Sequence, residues 1–192
     1  KSGSTDRKGP VFLEVCLDVQ GAPAKDNDDV AIAESTEPLS TSEIDNVSLG
    51  KVAELLAKSK RPVLLVGGGV SRDQFYSLIP EVERLGIPVM TTWNAADRIG
   101  ANHHLYFGRP NTWGQRSSNL ILQGADLVIA AGTRLGMQQT GFNWSQFVPN
   151  GDVVQVDIDK TELEKGHPDI GLAICADASN LLRRLFEKSV AT

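Results

Sequence analysis

The sequence predicts an α/β fold built on a doubly wound parallel sheet. Two uninterrupted aliphatic runs, residues 63–66 and 127–131, are typical of strands buried on both faces. Segments with helical periodicity alternate with such runs along the chain, which is the pattern of consecutive βα units. Several predicted strands end in Gly or Asp, and open sheets of this class bind ligands at the carboxyl ends of their strands. We therefore expect Gly67, Gly132 and Asp157 to meet at one edge of the sheet.

Length and composition limit the domain organisation and the classes of partner that this chain can have. The 192 residues allow one sizeable domain with an appendage, and a hydrophobic content of 41% supplies a core. The formal net charge of −5 and the lack of a basic cluster predict no nucleic-acid partner. No apolar run approaches the roughly 20 residues of a membrane span, so no membrane partner is expected either. Cys16 and Cys175 stand far apart and are predicted to be buried free thiols, which indicates a reducing, cytoplasmic compartment.

The first 46 residues are predicted to lie outside the main domain. Residues 9–19 alternate in a strand-like pattern, and a lone strand must pair with something outside itself. Residues 21–46 are acidic, contain Pro and Ser, and lack sustained periodicity, which favours a linker; an acidic interaction tail is the alternative. The chain begins with Lys rather than Met and shows no apolar leader, so we expect a piece of a longer protein.

The main domain is predicted to contain a βαβ unit near its start. An amphipathic helix over residues 47–59 precedes the strand 63–66, a helix over 73–85 follows, and a short strand covers 87–92. Ser71 stands at the expected N-cap of the second helix, and Gly86 at its C-terminal stop. Strand, helix and strand in this order form a βαβ unit.

Three glycines, Gly67, Gly68 and Gly69, end the first strand. A turn without side chains lets backbone N–H groups approach a phosphate closely, and it equally lets the chain turn sharply without any ligand. Both interpretations stay open. The string departs from the dinucleotide fingerprint, because Arg72 takes the place of its third glycine and no acidic residue stands near Ile87. A standard NAD site is therefore not expected.

A long irregular stretch covers residues 93–113, and loops of this length inside a compact domain are often functional. Within it, His103 and His104 suggest a metal ligand pair. Adjacent side chains point in different directions in regular structure, however, and no acidic or Cys cluster completes a ligand set. We therefore predict a surface turn and no metal site.

The second half of the chain continues the alternation of helices and strands. Its predicted elements are a helix at 115–123, strands at 125–134, 152–159 and 172–175, and helices at 160–164 and 180–188. Arg134 is expected at the carboxyl edge in contact with a ligand, and Asp157 can accept hydrogen bonds from a ribose there. Asp159 can cap the helix 160–164, and Asp177 or Ser179 the last helix.

No catalytic motif accompanies these elements. The string contains no G-x-S-x-G elbow, P-loop, Cys/His pair or clear carboxylate dyad. The residues alone therefore predict a domain that binds an adenine nucleotide and performs no chemistry of its own.

Taken together, the motifs resemble thiamine-diphosphate-dependent enzymes of the acetolactate synthase group. Residues 9–20 are similar to the end of the pyrimidine-binding domain of these enzymes, with Cys16 where the family usually has Pro, and residues 47–185 are similar to their central domain. The order and spacing of the motifs hold over nearly the whole chain, except in the linker. The strings that carry the resemblance are Arg61-Pro62-Val63-Leu64-Leu65-Val66-Gly67-Gly68-Gly69, Leu85-Gly86-Ile87-Pro88-Val89, His104-Leu105-Tyr106-Phe107-Gly108, Ala125-Asp126-Leu127-Val128, Gly132-Thr133-Arg134 and Val156-Asp157-Ile158-Asp159.

The resemblance implies a domain organisation. Residues 1–20 would be the terminal strand of a thiamine-binding domain, residues 21–46 a linker, and residues 47–192 a Rossmann-like central domain of about six strands. The flanking thiamine-binding domains, not this segment, would hold thiamine diphosphate and Mg²⁺. There a 2-oxo acid would be decarboxylated and joined to a second carbonyl compound. This segment would supply no catalytic residue and no metal ligand, would be inactive alone, and would belong to a homo-oligomer.

The resemblance also implies that the central domain binds FAD or ADP, or is empty. Two departures, at residues 135–139 and within 108–114, point to altered or absent flavin binding. A stand-alone flavin- or NAD-binding module of the same fold and a cofactor-free structural domain stay as alternatives. The implied contacts with pyrophosphate, ribitol, flavin and adenosine are Gly67, Gly68, Gly69, Thr91, Thr92, Trp93, Gly132, Thr133, Arg134, Asp157, Ile158, Asp177 and Ala178.

Overall fold

The computed structural model of the chain describes Pro10, residues 12–23 and residues 44–190. The chain divides into two compact units, residues 1–40 and 41–192, and each is described by itself. Most of the predicted linker, residues 24–43, lies outside the described residues. In the parts of the chain that are described, no helix combines the length and the apolar character that a membrane crossing requires.

The strand predicted at residues 9–19 does not form in the described part of the first unit. Leu17–Gln20 (α1) is a single helical turn, and residues 12–16 have no regular secondary structure. Phe12 and Leu13 are 88% and 81% exposed. The prediction was wrong because an alternating pattern becomes a strand only beside a second strand, and no described residue of this unit offers one.

Five parallel strands form the sheet of the second unit. They are β1 (Pro62–Val66), β2 (Val89–Thr91), β3 (Leu127–Ala131), β4 (Asp152–Asp157) and β5 (Leu172–Cys175), in the spatial order β2-β1-β3-β4-β5. Every neighbouring pair is parallel. The chain steps one way from β1 to β2 and the other way from β3 to β5, so the winding reverses between β1 and β3. The predicted class, a doubly wound parallel sheet, is confirmed.

A rudimentary sixth strand lies along the outer edge of β2. Val89 donates its backbone N–H to the carbonyl of Leu105 and accepts a hydrogen bond from the N–H of Phe107, both at 2.8 Å. Tyr106 forms a parallel bridge with Val89. Because this pairing is confined to one bridge, the described residues contain five full strands where about six were predicted.

Helices cover both faces of the sheet. On one face Phe75 and Leu181 belong to the larger core, and on the other Leu122 and Phe147 belong to a smaller one. Alternate strand residues point to opposite faces, so strands covered on both sides are mostly apolar along their length. The helices of this unit are α2 (Asn46–Lys58), α3 (Arg72–Ser77), α4 (Ile79–Leu85), α5 (Arg116–Gln123), α6 (Met137–Thr140), α7 (Lys160–Leu163) and α8 (Ala178–Val190), with 3₁₀ turns at Trp93–Ala95 and Trp144–Gln146.

The helix predicted over residues 73–85 is in fact two helices, α3 and α4, which meet at Leu78. Pro80 has no backbone N–H to donate, so a helix tolerates it only in its first turn. A new helix accordingly begins just before Pro80. Gly86 ends α4 in the left-handed conformation, with φ of 64°, as the sequence predicted.

The predicted helix caps are mostly confirmed. Asp159 accepts a hydrogen bond from the N–H of Thr161 at the start of α7, and Asp177 accepts one from Asn180 at the start of α8. Ser71 occupies the N-cap position of α3, but its side chain makes no capping hydrogen bond.

The second unit includes residues before the predicted boundary at residue 47. Ile44 is buried, and its carbonyl accepts a hydrogen bond from Nη1 of Arg184 at 2.6 Å. Nη2 of Arg184 donates to Oδ1 of Asn46 at 2.7 Å. These contacts attach the segment before α2 to α8.

Both cysteines are thiols outside any disulfide, as predicted, but they are exposed rather than buried. Cys175 ends β5, which is an edge strand, and Cys16 precedes the exposed turn α1. The prediction of burial was wrong because these positions lie at the margins of their units, where the described residues form no covering layer.

Candidate functional site

All the predicted site residues lie at the carboxyl-terminal edge of the sheet, which is called the rim below. Because the five strands are parallel, the residues that follow each strand emerge on the same side. Grouped by strand, they are Gly67, Gly68 and Gly69 after β1; Thr91, Thr92 and Trp93 at the end of β2; Gly132, Thr133 and Arg134 after β3; Asp157 and Ile158 at the end of β4; and Asp177 and Ala178 after β5.

The strand register aligns the centre of the rim. Val66 of β1 is the partner of Ala131 of β3, which is in turn the partner of Val156 of β4. The next residues in the same row are Gly67, Gly132 and Asp157. The prediction that these three residues share one edge is therefore confirmed.

The ends of the rim are far apart. Four inter-strand spacings separate β2 from β5, which amounts to about 19 Å. Thr92 and Asp177 therefore cannot touch one small group at the same time. The predicted residues form a line along which an elongated ligand can lie, rather than a closed cluster.

The glycines of the two central turns pack against each other. A Cβ atom on Gly67 would lie 2.6 Å from both the carbonyl carbon of Gly132 and Cβ of Thr133. Gly132 has a φ of 64°. The backbone N–H of Gly69 donates a hydrogen bond to the carbonyl of Gly132 at 2.9 Å. Gly67 and Gly132 are thus required for close contact between turns. Of the two interpretations that the sequence left open, this contact supports the structural one, in which the glycines serve the sharp turn itself and not a ligand.

Gly68 differs from Gly67 and Gly69 because its N–H has no acceptor among the described residues, and like Gly69 it is exposed. Arg98 braces this turn: its Nε donates to the carbonyl of Val70 at 2.7 Å and its Nη2 to the carbonyl of Gly68 at 3.3 Å. The Arg98 side chain is only 12% exposed and forms an ion pair with Asp97. The sequence analysis missed Arg98, since no local pattern links it to carbonyls some 30 residues earlier.

Arg134 lies at the rim as predicted, and its side chain is 62% exposed. Its Nε is 3.0 Å from Oε1 of Glu162, a residue of α7 that the sequence analysis did not select. Oε2 of the same carboxylate lies 3.3 Å from Nζ of Lys165. The only signal available in the sequence was the spacing of Glu162 and Lys165, which suits a helical i,i+3 pair.

The two predicted acidic contacts have structural partners. Asp157 is buried, and its Oδ1 accepts a hydrogen bond from the N–H of Asp159 at 3.0 Å. Asp177 caps α8 through Asn180. Both carboxylates therefore shape the turns that follow β4 and β5, whatever else they contact.

Two tryptophans form an exposed aromatic face beside β2. The rings of Trp93 and Trp113 are 49% and 66% exposed, and their centroids lie 6.1 Å apart with 30° between the planes. The loop that carries Trp113 is attached to α6, because the N–H of Thr112 donates to the carbonyl of Gln138 at 2.9 Å. Planar heterocycles stack on such faces. Trp113 was not among the predicted site residues.

The histidine pair departs from the geometry predicted for it. The rings of His103 and His104 stack with centroids 4.8 Å apart, and Glu83 of α4 supplies an acidic group 3.1 Å from Nε2 of His103. The expectation that no acidic cluster completes a ligand set missed Glu83, because this acid comes from a distant helix. Nδ1 of His103 accepts the N–H of Leu105 at 3.2 Å, so the proton of the neutral ring sits on Nε2 and bonds Glu83. Binding a metal at Nε2 would disrupt this pair of bonds, and the arrangement favours a hydrogen-bonded turn.

The rim as a whole presents the exposed Arg134 guanidinium, the N–H of Gly68 and an aromatic face. Cationic and backbone donors suit phosphate oxygens, and aromatic faces suit planar bases. Together with the reversal of winding between β1 and β3, these features are those of a doubly wound α/β domain with its polar and aromatic groups gathered at the carboxyl-terminal edge.

Comparison with known families identifies which domain this is. Residues 49–185 match the family model described as "Thiamine pyrophosphate enzyme, central domain". The chain belongs to this family.

The curated relatives carry consistent names. The chain is 33% identical, over 98% of its length, to the acetolactate synthase large subunit of Corynebacterium glutamicum, and 35% identical, over 93%, to the large subunit of acetolactate synthase isozyme 1 of Escherichia coli. It spans 30% and 31% of the lengths of these two proteins. Among solved structures, a putative thiamin diphosphate-dependent enzyme from Mycobacterium smegmatis aligns with a TM-score of 0.62 at 22% identity, over 75% of this chain and 28% of that one. This last similarity concerns the fold alone.

Proposed function

We propose that the chain acts as the central domain of a thiamine-diphosphate-dependent 2-oxo acid decarboxylase or carboligase resembling acetolactate synthase. The family assignment and the names of the relatives support this proposal. Thiamine diphosphate and Mg²⁺ would supply the chemistry from flanking domains of a homo-oligomer, because the described residues contain neither a catalytic constellation nor a diphosphate–metal motif. The chain would contribute the scaffold and a nucleotide site.

The nucleotide we propose is FAD or ADP, bound along the rim. The single observation that supports it best is the register row that brings Gly67, Gly132 and Asp157 together beside the exposed Arg134. Open parallel sheets bind nucleotides at this edge, where the winding reverses. In this pose Arg134 and the N–H of Gly68 would contact phosphate oxygens.

The remaining predicted residues would complete the same pose. Asp157, Ile158, Asp177 and Ala178 would surround the adenosine, and Thr133 the phosphates. For FAD, the flavin ring would lie near Thr91 and Thr92 and stack on Trp93, whose exposed face suits a planar heterocycle. ADP uses only the part of the rim from β1 to β5 and does not need the tryptophans.

A second candidate is a structural domain without any cofactor. It is favoured by the contact between Gly67 and Gly132, which explains those glycines by packing alone. The two candidates make opposite predictions for a ligand titration.

Calorimetric titration of the 192-residue chain with ADP, FAD and coenzyme A tests both. We expect ADP to bind, and Arg134→Gln to weaken that binding about tenfold, because charge-assisted hydrogen bonds to phosphate are lost. Arg84→Gln is the matched control, since Arg84 is exposed at the end of α4, on the opposite edge of the sheet, and its loss should leave the affinity unchanged. Flat titrations with all three ligands would favour the cofactor-free domain.

The proposal that the flanking domains, and not this chain, bind thiamine diphosphate and Mg²⁺ has its own test. The chain alone should bind neither thiamine diphosphate nor Mg²⁺ in a calorimetric titration, because its sites for them are assigned to other domains. Tight binding of thiamine diphosphate by this chain would contradict the proposal.

A further inference from the structure

Three charged residues form a cluster at the rim, called the rim clamp below: Arg134 after β3, Glu162 of α7 and Lys165 just beyond α7. Glu162 lies between the two cations, 3.0 Å from Nε of Arg134 and 3.3 Å from Nζ of Lys165. Glu162 and Lys165 are 19% and 18% exposed, whereas Arg134 is 62% exposed. The clamp thus has a covered base and an open end.

Lys165 uses its whole hydrogen-bonding capacity inside the clamp. An ammonium group has three donors. Besides the Glu162 carboxylate, the ammonium of Lys165 donates to the carbonyl of Arg134 and, at 3.3 Å, to that of Leu135. Leu135 is buried with a φ of 49°, a left-handed conformation that non-glycine residues adopt only when their surroundings hold them there. Lys165 therefore holds both the backbone after β3 and the carboxylate that meets Arg134.

The contact with Glu162 leaves part of Arg134 available. Nε of the guanidinium is engaged, while the two Nη atoms have no partner among the described residues. One carboxylate shared by two cations also leaves one net positive charge on the clamp. A guanidinium held at one nitrogen, with its terminal nitrogens open, suits recognition of phosphate oxygens.

We propose that Glu162, oriented by Lys165, is a positioning residue that holds Arg134 ready for the phosphate groups of a nucleoside diphosphate. This inference rests on the proposed nucleotide site. A free arginine side chain loses rotamer freedom when it binds, and holding it in place beforehand removes part of that loss. Glu162 itself does not touch the ligand.

The direction in which binding changes when the charge of Glu162 is removed distinguishes a positioning role from simple electrostatic repulsion. A carboxylate close to a phosphate repels it, so removing the charge of Glu162 should strengthen binding if repulsion is its main effect. If Glu162 mainly holds Arg134, its removal should weaken binding. Glu164 provides the matched control, because it follows the same short helix and pairs with the exposed Lys160 rather than with Arg134.

The experiment titrates ADP into the 192-residue chain and its Glu162→Gln, Lys165→Met and Glu164→Gln variants. We expect Glu162→Gln and Lys165→Met to weaken ADP binding about tenfold, a typical loss for a charge-assisted contact. Glu164→Gln should change the affinity by less than about twofold, as exposed pairs contribute little. Unchanged or tighter binding by Glu162→Gln would overturn the proposal.

A second readout does not depend on a nucleotide. In a ¹H–¹⁵N spectrum, the Nε–H signal of Arg134 should have the same chemical shift in the wild-type chain and in Glu164→Gln, and should move in Glu162→Gln because the neighbouring charge is lost. An identical signal in Glu162→Gln would show that Glu162 does not hold Arg134, and the inference would fail. If the wild-type chain binds neither ADP nor FAD, the proposed function fails instead, and this signal still decides whether the clamp exists. Circular dichroism of each variant checks that the fold is retained.

Discussion

The two edges of the sheet use polar groups in opposite ways. At the amino-terminal edge, Asp126 accepts hydrogen bonds from the hydroxyl of Ser59 and from the N–H groups of Lys60 and Arg61. Arg61 in turn donates from Nε to the carbonyl of Gly124 at 2.7 Å. These polar contacts are thus directed inward, between the segments that enter β1 and β3.

The carboxyl-terminal rim, by contrast, leaves several polar and aromatic groups facing outward. Arg134, Gly68 and the tryptophan pair are exposed, although Gly67 and Gly132 pack tightly beneath them. The same strands therefore connect an edge that serves stability to an edge that also presents a surface. Rigidity and binding at the rim therefore depend on different residues, and the following variants test that separation.

The largest expected effect is at the packed glycines of the rim. Gly67→Ala would place a methyl group against the backbone of Gly132, and we expect it to lower the free energy of unfolding by about 3 kcal/mol or more. Gly50→Ala, inside α2 and with ordinary contacts only, should instead be neutral or stabilise by up to about 1 kcal/mol. Urea denaturation measures both. Equal stability of the two variants would disprove the packing role of Gly67.

Loss of the brace at the glycine turn should have the next largest effect. Arg98→Met keeps the apolar stem but removes donors to the carbonyls of Val70 and Gly68, and we expect a loss of about 2 kcal/mol. This variant should therefore unfold at a lower temperature than the control variant Arg84→Gln, in which the arginine that is replaced is exposed. A melting curve matching wild type would mean that the turn does not need Arg98.

At the opposite edge, Asp126→Asn should cost about 1 kcal/mol, because an amide nitrogen cannot accept the backbone N–H that the carboxylate accepts. ADP binding should stay at the wild-type level in this variant if the two edges are independent. A parallel fall in ADP affinity would show that they are not.

Lowering the pH should remove the same stabilisation that the Asp126 carboxylate provides. The hydroxyl of Ser59, followed by the N–H groups of Lys60 and Arg61 and the charge of Arg61, lowers the pKa of Asp126 from 3.8 to about 2. Because the pKa is lower in the folded state, this stabilisation is complete above about pH 4 and is lost as the pH falls toward 2. Stability curves of wild type and Asp126→Asn should therefore converge between pH 4 and pH 2. A constant difference across that window would contradict the assignment.

The smallest effect is expected at an exposed ion pair of α8. Arg183 and Glu187 lie 2.8 Å apart, and both side chains are more than half exposed. Glu187→Gln should change the free energy of unfolding by less than about 0.5 kcal/mol, and less still in high salt. A larger change in urea denaturation would mean that surface charges matter here as much as the edges do.

Local patterns predicted those features of the protein that depend on neighbours in sequence. Runs of aliphatic residues identified β1 and β3, and the placement of Gly86, Asp159 and Asp177 identified helix ends. Because parallel strands must send their carboxyl ends to one side, the shared edge of Gly67 and Gly132 also followed from the sequence.

Contacts between distant segments were not predictable in this way. The strand expected at residues 9–19 failed for lack of a neighbour, and Glu83 joined His103 from another helix. Arg98 and Glu162 became part of the rim only because loops after different strands meet there. Each of these outcomes depends on a partner that no local pattern specifies.

The sequence by itself determined the fold class and the position of the rim, because periodicity and chain direction are local properties that all strands of the sheet share. The family followed from the resemblance of its motifs. Only the tertiary structure decided that Gly67 and Gly132 serve packing and that Arg134 is held by Glu162. Packing contacts and ion pairs require two surfaces in register, and that register exists only once the chain has folded.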